Sequence, residues 1–275
     1  SDLSKKISRY DMAQVIMNEL DAIKKEYGQP RRTVVENGEE AVYEEKKIEE
    51  MEVMCLIDRF GYVKTIDMSA YERNKEAADG ENKYVFPCKN TGRICVFTNT
   101  GQLHTIKVLD IPFGKFRDKG VPLDNISNYS AEKETIILVT GQSQLNLYRM
   151  IFATKQSMLK VVDGGEFDVA KRTVAATKLQ EGDEVVSVAI LKDQANIVLQ
   201  TAGGYFLRFP VEEIPEKKKG AVGVRGMKLG NKDFVEEVYY TQNGVEHPIE
   251  YKGKNLELNK IKAGKRDTKG VKPRT

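Results

Sequence analysis

The chain has 275 residues, 40% hydrophobic and 31% charged, which provides enough apolar material for a substantial core. No apolar run approaches the roughly 18 residues that a membrane-spanning helix needs, and the first residues lack the apolar core of a signal peptide. We therefore expect a cytoplasmic protein that makes no contact with a membrane.

The net charge of +3 conceals two segments of opposite sign. Between Glu36 and Glu52 eight acidic residues outweigh two lysines, whereas between Lys252 and Arg274 nine basic residues outweigh two acidic ones. This asymmetry indicates an anionic partner for part of the surface, and a solvated lysine-rich tail accounts for it equally well.

The N-terminal part predicts one helix, from about Asp11 to Tyr27. Apolar residues recur there at helical spacing, Asp11 is a suitable N-cap, and Gly28 followed by Pro30 ends the pattern. The acidic segment that follows predicts an exposed strand or a linker. We therefore expect a helix and linker over residues 1–35 and a β-domain over residues 36–275.

From Met51 onward, the chain predicts a succession of short strands joined by tight turns. Gly61 and Gly101 lie 40 residues apart, as do Gly204 and Gly244, and hairpins at this interval are typical of propeller blades. We predict an all-β fold of about five blades, the last incomplete. The five predicted strand–turn–strand segments are MCLIDRFGYVKTIDM, RICVFTNTGQLHTIKVL, MIFATKQSMLKVVD, NIVLQTAGGYFLRFPV and EVYYTQNGVEHPIEY.

Each predicted hairpin is followed by a connection that carries cations together with glycine or alanine, and then by another apolar strand. One such loop would be unremarkable, because Gly and Lys are common in solvated turns, but recurrence within a repeat favours a shared role. Lysine and arginine neutralise phosphate charge, and glycine lets backbone N–H groups approach a phosphate. The five connections are SAYERNKEAADGENK, IPFGKFRDKGVPLDNI, EFDVAKRTVAATKL, EIPEKKKGAVGVRGMKL and IKAGKRDTKGVKPR.

Cysteine and histidine are scarce, which argues against a metal site or a Ser/His/Asp triad. Cys55, Cys88 and Cys95 lie in apolar stretches and are interpreted as reduced core residues. His104 and His247 are the only histidines, and neither lies near a cysteine pair.

The order and spacing of several motifs resemble the C-terminal domain of the A subunit of bacterial type IIA topoisomerases, the gyrase and topoisomerase IV family. The resemblance extends from about Glu19 to Arg274. The N-terminal ELDAIKKEYGQPRRTVV is also similar to the segment that leads into that domain. The motifs that carry it are FGYVKTIDMSAYE, TGQLHTIKVLDIP, KFRDKGVPLDNI, KLQEGDEVVSV, LRFPVEEIP and GVRGMKL.

This resemblance implies a β-pinwheel, a propeller-like fold whose blades exchange strands and whose basic rim binds and bends double-stranded DNA. It implies a bacterial, nucleoid-associated protein whose partners are DNA, the remainder of the A subunit and the ATPase B subunit. The fragment itself would hold no catalytic centre and no cofactor, since ATP and Mg²⁺ act on other domains or subunits of the family.

One departure from the family concerns the first connection. Gyrase A subunits have a box close to QRRGGRG in the first blade, which tight DNA wrapping requires. The matching place here is ERNKEAADG, from Glu72 to Gly80, where Arg73 and Lys75 are the only cations among three acids. We therefore expect weaker wrapping than in gyrase, as in topoisomerase IV.

The candidate DNA contacts are the cations of the later connections. Tyr62, Phe97, Phe206 and Tyr240 lie inside strands and are interpreted as core residues rather than base-stacking platforms. The candidates are Arg117 and Lys119 in the predicted blade two, Lys171 and Arg172 in blade three, Lys217, Lys218, Lys219, Arg225 and Lys228 in blade four, and Lys265, Arg266 and Lys269 in the partial fifth blade.

Other interpretations are weaker. Arg9-Tyr10 imitates the family's cleavage pair but precedes the linker helix, and GAVGVRG lacks the residues of a nucleotide-binding loop. The acids of EGDEVV are typical of a turn. A propeller used for protein–protein interaction remains the main alternative, and a small-molecule enzyme is disfavoured by the lack of clustered acids and histidines.

Overall fold

The computed structural model describes Gln14, residues 16–21 and residues 47–274. Residues 16–21 are helical, within the predicted N-terminal helix. The rest of that helix, Arg9-Tyr10 and most of the acidic segment lie outside the described residues. The stretch Ile48–Thr275 forms one compact unit.

This unit is built almost entirely from short strands. The strands are β1 Glu52–Asp58, β2 Tyr62–Asp67, β3 Asn82–Lys89, β4 Arg93–Thr98, β5 Gln102–Lys107, β6 Phe113–Gly114, β7 Val121–Pro122, β8 Ile136–Gly141, β9 Arg149–Thr154, β10 Met158–Asp163, β11 Thr173–Ala175, β12 Val185–Leu191, β13 Asn196–Thr201, β14 Phe206–Pro210, β15 Val224–Arg225, β16 Val235–Thr241, β17 Pro248–Tyr251 and β18 Lys254–Glu257. The α-helices are α1 Met68–Arg73, α2 Lys75–Glu81, α3 Leu123–Ile126 and α4 Gln142–Leu145, and single 3-10 turns lie at Val108–Asp110, Gly164–Phe167, Val211–Glu213 and Leu258–Lys260.

The strands form five sheets, which we number as blades 1 to 5 in chain order. Blade 1 has the order β3-β1-β2-β6, with β7 also on β2; blade 2 is β11-β5-β4-β8 and blade 3 is β12-β9-β10-β15. Blade 4 is β14-β13-β16 and blade 5 is the hairpin β17-β18. The predicted all-β fold of about five blades, with an incomplete last blade, is confirmed.

Four of the five predicted hairpins are correct. Their turns contain a left-handed residue, which is Gly61, Gly101 or Gly204 in three blades and Ser157 in blade 3. The fifth is wrong, because β16 pairs with β13 of blade 4 while β17 pairs with β18. The QNG turn therefore connects two blades, and the true hairpin turn of blade 5 is Lys252-Gly253, with both residues at positive φ.

Each of the first four blades is completed by a segment that follows the next hairpin along the chain. Strands β6 and β7 pair with β2, β11 pairs with β5, and β15 pairs with β10. In blade 4 the C-terminal segment contacts β14 through the bridges Arg208–Ala263 and Phe206–Val271. This is the strand exchange that the resemblance implied.

Because of the strand exchange, the basic loops lie on different blades from those predicted. Each lies on the blade before the one its hairpin forms, because the connection crosses back to the preceding sheet. Arg117 and Lys119 are therefore on blade 1, the pair Lys171 and Arg172 is on blade 2, and the later groups are on blades 3 and 4.

The core consists of apolar layers between consecutive blades. The central hairpin strands are buried on both faces, so that Cys55 on β1 packs towards Ile94 and Val96 of blade 2 while Met54 and Leu56 point the other way. Similar layers join blade 2 to blade 3, blade 3 to blade 4, and blade 4 to blade 5.

Candidate nucleic-acid interface

The basic loops occupy the same place in the repeat. In blades 1, 3 and 4 the incoming segment first runs parallel to the second hairpin strand, loops outward, and returns antiparallel to the same strand. We call the outward parts the exchange loops: residues 115–120 on blade 1, 169–172 on blade 2, 217–223 on blade 3 and 264–270 on blade 4. The blade 2 loop is shorter and leads directly into β11.

A glycine ends the exchange loops of blades 1, 3 and 4, just before the antiparallel return. Gly120 and Gly223 have φ of +77° and +103°, where side chains are disfavoured. A Cβ at these positions would lie 2.3 Å from the Val63 carbonyl oxygen and 2.4 Å from the Leu159 carbonyl oxygen. At Gly270 it would lie 2.7 Å from the Phe206 oxygen. These glycines allow the backbone of the loop to approach the backbone of the second hairpin strand closely.

A lysine beneath the loop, buried in blade 3 and half-buried in blade 1, donates hydrogen bonds to its backbone. Lys160 on β10 is 1% exposed, and its Nζ donates to the carbonyl oxygens of Lys218, Lys219 and Ala221 at 3.1, 2.9 and 2.7 Å. Burial lowers the pKa of Lys160 to about 8, with Glu166 opposing the shift. The equivalent Lys64 on β2 donates to the carbonyl oxygens of Phe116 and Asp118.

Blade 2 has a histidine at this position. His104 Nδ1 lies 2.8 Å from the hydroxyl of Thr173 on the exchanged strand, and its Nε2 lies 3.0 Å from Glu134 Oε2. Burial would raise the pKa of Glu134, but hydrogen bonds from His104, Thr98, Thr100 and the Ser130 backbone outweigh it and lower the pKa. His104 and Glu134 thus stabilise the pairing of the exchanged strand β11 with blade 2.

Ten of the twelve candidate cations are exposed, and Lys219 and Arg266 are half-buried. All twelve lie in or directly beside an exchange loop. The exposed ones are Arg117, Lys119, Lys171, Arg172, Lys217, Lys218, Arg225, Lys228, Lys265 and Lys269.

Three candidates are bound to the protein itself. Lys219 Nζ donates to the Glu166 carbonyl at 3.2 Å, and Arg225 forms an exposed ion pair with Asp267 that lowers the pKa of that carboxyl. Arg266 donates to the carbonyl oxygens of Glu213 and Arg225, both at 2.9 Å. These side chains stabilise neighbouring loops through their hydrogen bonds and ion pair. Less of their charge is therefore available to a ligand.

The first connection differs in structure from the others, which corrects its interpretation as a basic glycine loop. Residues 68–81 form helices α1 and α2, whose Tyr71 and Ala78 pack on Met54 and Leu56, on the face of blade 1 that no other sheet of the described residues covers. The Tyr71 hydroxyl donates to Asp79 at 2.7 Å. Among the described residues, this segment therefore covers the apolar face of blade 1 and does not form an exchange loop.

The other sequence-based assignments are mostly core residues. Phe97 and Phe206 are buried, and the three cysteines are buried and free. Tyr240 is half-buried, with a pKa raised to about 12 by burial, whereas half-buried Tyr62 carries the Lys119 ammonium 4.7 Å from its ring centroid. Tyr62 therefore supports an exchange-loop cation and is not a core residue.

Within the described residues, no group of three or more His, Cys, Asp or Glu side chains could hold a metal ion. The helices among them are all too short or too polar to cross a bilayer.

Exchanged strands, interblade cores and basic exchange loops define a β-pinwheel domain. A family model described as "DNA gyrase C-terminal domain, beta-propeller" matches residues 149–192, 195–241 and 252–272, which correspond to the successive repeats of blades 3, 4 and 5. The resemblance inferred from the sequence is confirmed: the chain is similar to the C-terminal domain of the A subunits of type IIA topoisomerases.

Curated relatives include the gyrase A subunit of Lawsonia intracellularis, 28% identical over 258 residues, which cover 90% of this chain and 32% of that protein. The gyrase A subunit from Helicobacter pylori strain J99 is 28% identical over 81% of this chain and 28% of its own length. The chain thus spans about a third of these relatives.

Solved structures with this fold include the C-terminal domain of DNA topoisomerase IV, with a TM-score of 0.71 at 21% identity over 82% of this chain and 73% of the other. The E. coli ParC C-terminal domain gives 0.65 at 19% identity, covering 81% of this chain and 94% of the other. A DNA gyrase A C-terminal domain gives 0.54 at 18% identity, covering 80% and 76%.

Proposed function

We propose that this chain is a non-catalytic domain of a type IIA topoisomerase A subunit that binds and bends duplex DNA and presents it for strand passage. The observation that supports this most is the recurrence of exposed cations on exchange loops at one place in four successive blades. Because each blade offers two or more such cations, a duplex that follows the loops gains phosphate contacts at every step.

Bending is compatible with these contacts energetically. Smooth bending of a short duplex costs on the order of 1–6 kcal/mol. A charge-assisted hydrogen bond contributes about 1.5–3 kcal/mol, so a handful of phosphate contacts along a curved path offsets that cost. The contacts would be to the backbone and hence independent of base sequence.

Wrapping would be weak compared with gyrase. The place of the gyrase box, Glu72 to Gly80, lies in helices α1 and α2 and contains only two cations, so this connection adds little to the DNA path beside Arg117 and Lys119 of the blade 1 exchange loop. In the full enzyme the domain would act with the rest of the A subunit and the ATPase B subunit, and ATP and Mg²⁺ would act outside this chain.

A duplex titration of the 275-residue chain at two salt concentrations tests binding, followed by religation of a nicked plasmid with the chain bound. We expect salt-sensitive binding and a change in linking number smaller than that produced by a box-containing gyrase domain. Absence of duplex binding at low salt would favour the protein–protein interaction module instead. Strong positive writhe would contradict weak wrapping.

A further inference from the structure

Blade 2 contains an open cleft of about 430 Å³ whose lining includes only one of the candidate cations named above. Three cations line it: Arg93 at the start of β4, Lys107 at the end of β5 and the candidate Arg172 in the exchange loop. Asp110 is the only acidic residue in its lining. The local charge is therefore positive, and the cleft continues the basic surface of an exchange loop.

Two of these cations face each other across a strand pair. Arg93 lies directly opposite Lys107 in the β4–β5 register, a placement of like charges that destabilises a sheet. None of the ion pairs among the described residues involves Arg93, Lys107 or Arg172. Within that part of the chain, Asp110 lines the cleft but forms no ion pair with the three cations.

The other blades avoid this arrangement at the same position of the repeat. Blade 3 has the attractive pair Arg149 and Asp163, blade 1 has Val53 opposite Asp67, and blade 4 has Asn196 opposite Pro210. The hairpin therefore does not require two cations opposite each other at this position. It is specific to the blade that has the shortest exchange loop and hence the fewest loop cations.

Arg93 is also held in place. Its Nη1 donates to the Val169 carbonyl oxygen in the exchange loop at 3.4 Å, which links the guanidinium to the segment that carries Arg172. The remaining N–H groups of the guanidinium have no protein acceptor among the described residues, and Lys107 and Arg172 are exposed. Such a set of donors matches a phosphate group, which guanidinium groups bind through paired N–H donors.

We propose that this cleft binds a phosphate of the duplex DNA backbone, with Arg93 and Lys107 as contacts that act together with Arg172. The proposal rests on the proposed function and adds two contact residues to it. The bound phosphate neutralises the opposed cations, so that binding removes a repulsion that the free domain carries.

The sharpest test is Lys107→Asp, which gives blade 2 the Arg/Asp pair that blade 3 already has. We expect thermal stability to be unchanged or raised, duplex affinity to fall about tenfold, and the slope of log K against log salt to become about 0.9 less steep, as for one phosphate that is no longer neutralised. Lys133→Asp is the control, since it makes the same charge change on an exposed lysine outside the cleft and should alter affinity far less. Arg93→Gln should lower affinity in the same direction.

A second arm separates the sources of phosphate. Amide shifts of Thr105 and Ala170, which line the cleft, are followed by NMR during titration with duplex DNA and with inorganic phosphate. Shifts that saturate with duplex in the wild type and are lost in Lys107→Asp support the proposal. Equal duplex affinity in Lys107→Asp, Lys133→Asp and wild type overturns it, as does a cleft that responds to inorganic phosphate alone. Loss of duplex binding in the wild type itself would instead contradict the proposed function.

Discussion

The ammonium of Lys160 points into the exchange loop of blade 3 rather than towards solvent. Three backbone carbonyl groups surround it, and the loop they belong to carries Lys217 and Lys218 on its outer side. Lys160 therefore acts as a positioning residue, because it fixes the backbone from which the exposed cations project.

Replacing this lysine should loosen the loop without removing any exposed charge. In Lys160→Met the carbonyl oxygens of Lys218, Lys219 and Ala221 lose their shared donor, at a cost of about 1–3 kcal/mol for a buried polar group left unsatisfied. We expect faster hydrogen exchange of the amides in residues 217–223 and duplex affinity reduced several-fold. Unchanged exchange in that loop would show that Lys160 does not position it.

The lowered pKa of Lys160 also predicts a pH dependence. Because its folded pKa of about 8 lies below the usual lysine value of about 10.4, the unfolded chain binds more protons than the folded chain between these values. The free energy of unfolding contributed by this group should therefore rise as pH increases from about 8 to about 10. Denaturant unfolding of wild type and Lys160→Met at several pH values isolates this contribution, and a constant difference between them would contradict it.

At the residue scale the sequence contained a usable signal for this role. Lys64, His104 and Lys160 occupy one position of the second hairpin strand, where a basic residue interrupts apolar neighbours. Their recurrence predicts a shared task, but not its direction, because only the exchanged segment shows which carbonyl groups the side chains meet. The register of the correctly predicted hairpin places Arg93 opposite Lys107, but the sequence does not show that Arg172 of the exchange loop lines the same cleft.

At the scale of elements, the exchange loop depends on its glycine more than on its cations. Gly223→Ala places a side chain at φ of +103° and 2.4 Å from the Leu159 carbonyl oxygen. We expect a loss of about 2 kcal/mol or more in the free energy of unfolding, with β15 displaced from β10. The measurement is denaturant unfolding.

Gly220 in the same loop is the matched control. A Cβ there meets nothing within 4 Å and its φ is not left-handed, so Gly220→Ala should leave stability unchanged or raise it by up to about 1 kcal/mol. Equal destabilisation by both substitutions would contradict the role given to Gly223.

The sequence predicts strands and hairpins correctly where local signals determine them. Alternating apolar residues around a tight turn located four hairpins, three with a turn glycine and one with Ser157, because turn chemistry and strand register are both set within about fifteen residues. The hairpin predicted around QNG is wrong, because a turn signal does not specify which sheet each flanking strand joins. Strand β16 pairs with the distant β13, as in Val235 with Thr201. Helices α1 and α2 were not predicted. The Ala, Glu and Lys content of residues 72–81 favours a helix, but the position of this segment in the repeat predicted a loop like the later connections.

At the scale of the whole molecule, blade number and strand exchange agree with expectations, the latter from the resemblance alone. The placement of each basic loop on the preceding blade could not be predicted, since it follows from long-range pairing. Within the described residues, the first connection completes no other sheet and instead packs on blade 1.

The most direct test of the central claim is the salt dependence of duplex binding when the exchange loop of blade 3 is reversed in charge. Lys217→Glu with Lys218→Glu is compared with Lys75→Glu and Lys83→Glu, two exposed cations of blade 1 outside the exchange loops. We predict that the first double variant flattens the slope of log K against log salt by about 0.9 for each phosphate that the loop no longer neutralises, while the second leaves the slope close to wild type. Equal slopes in both double variants and the wild type would contradict the claim that DNA follows the exchange loops.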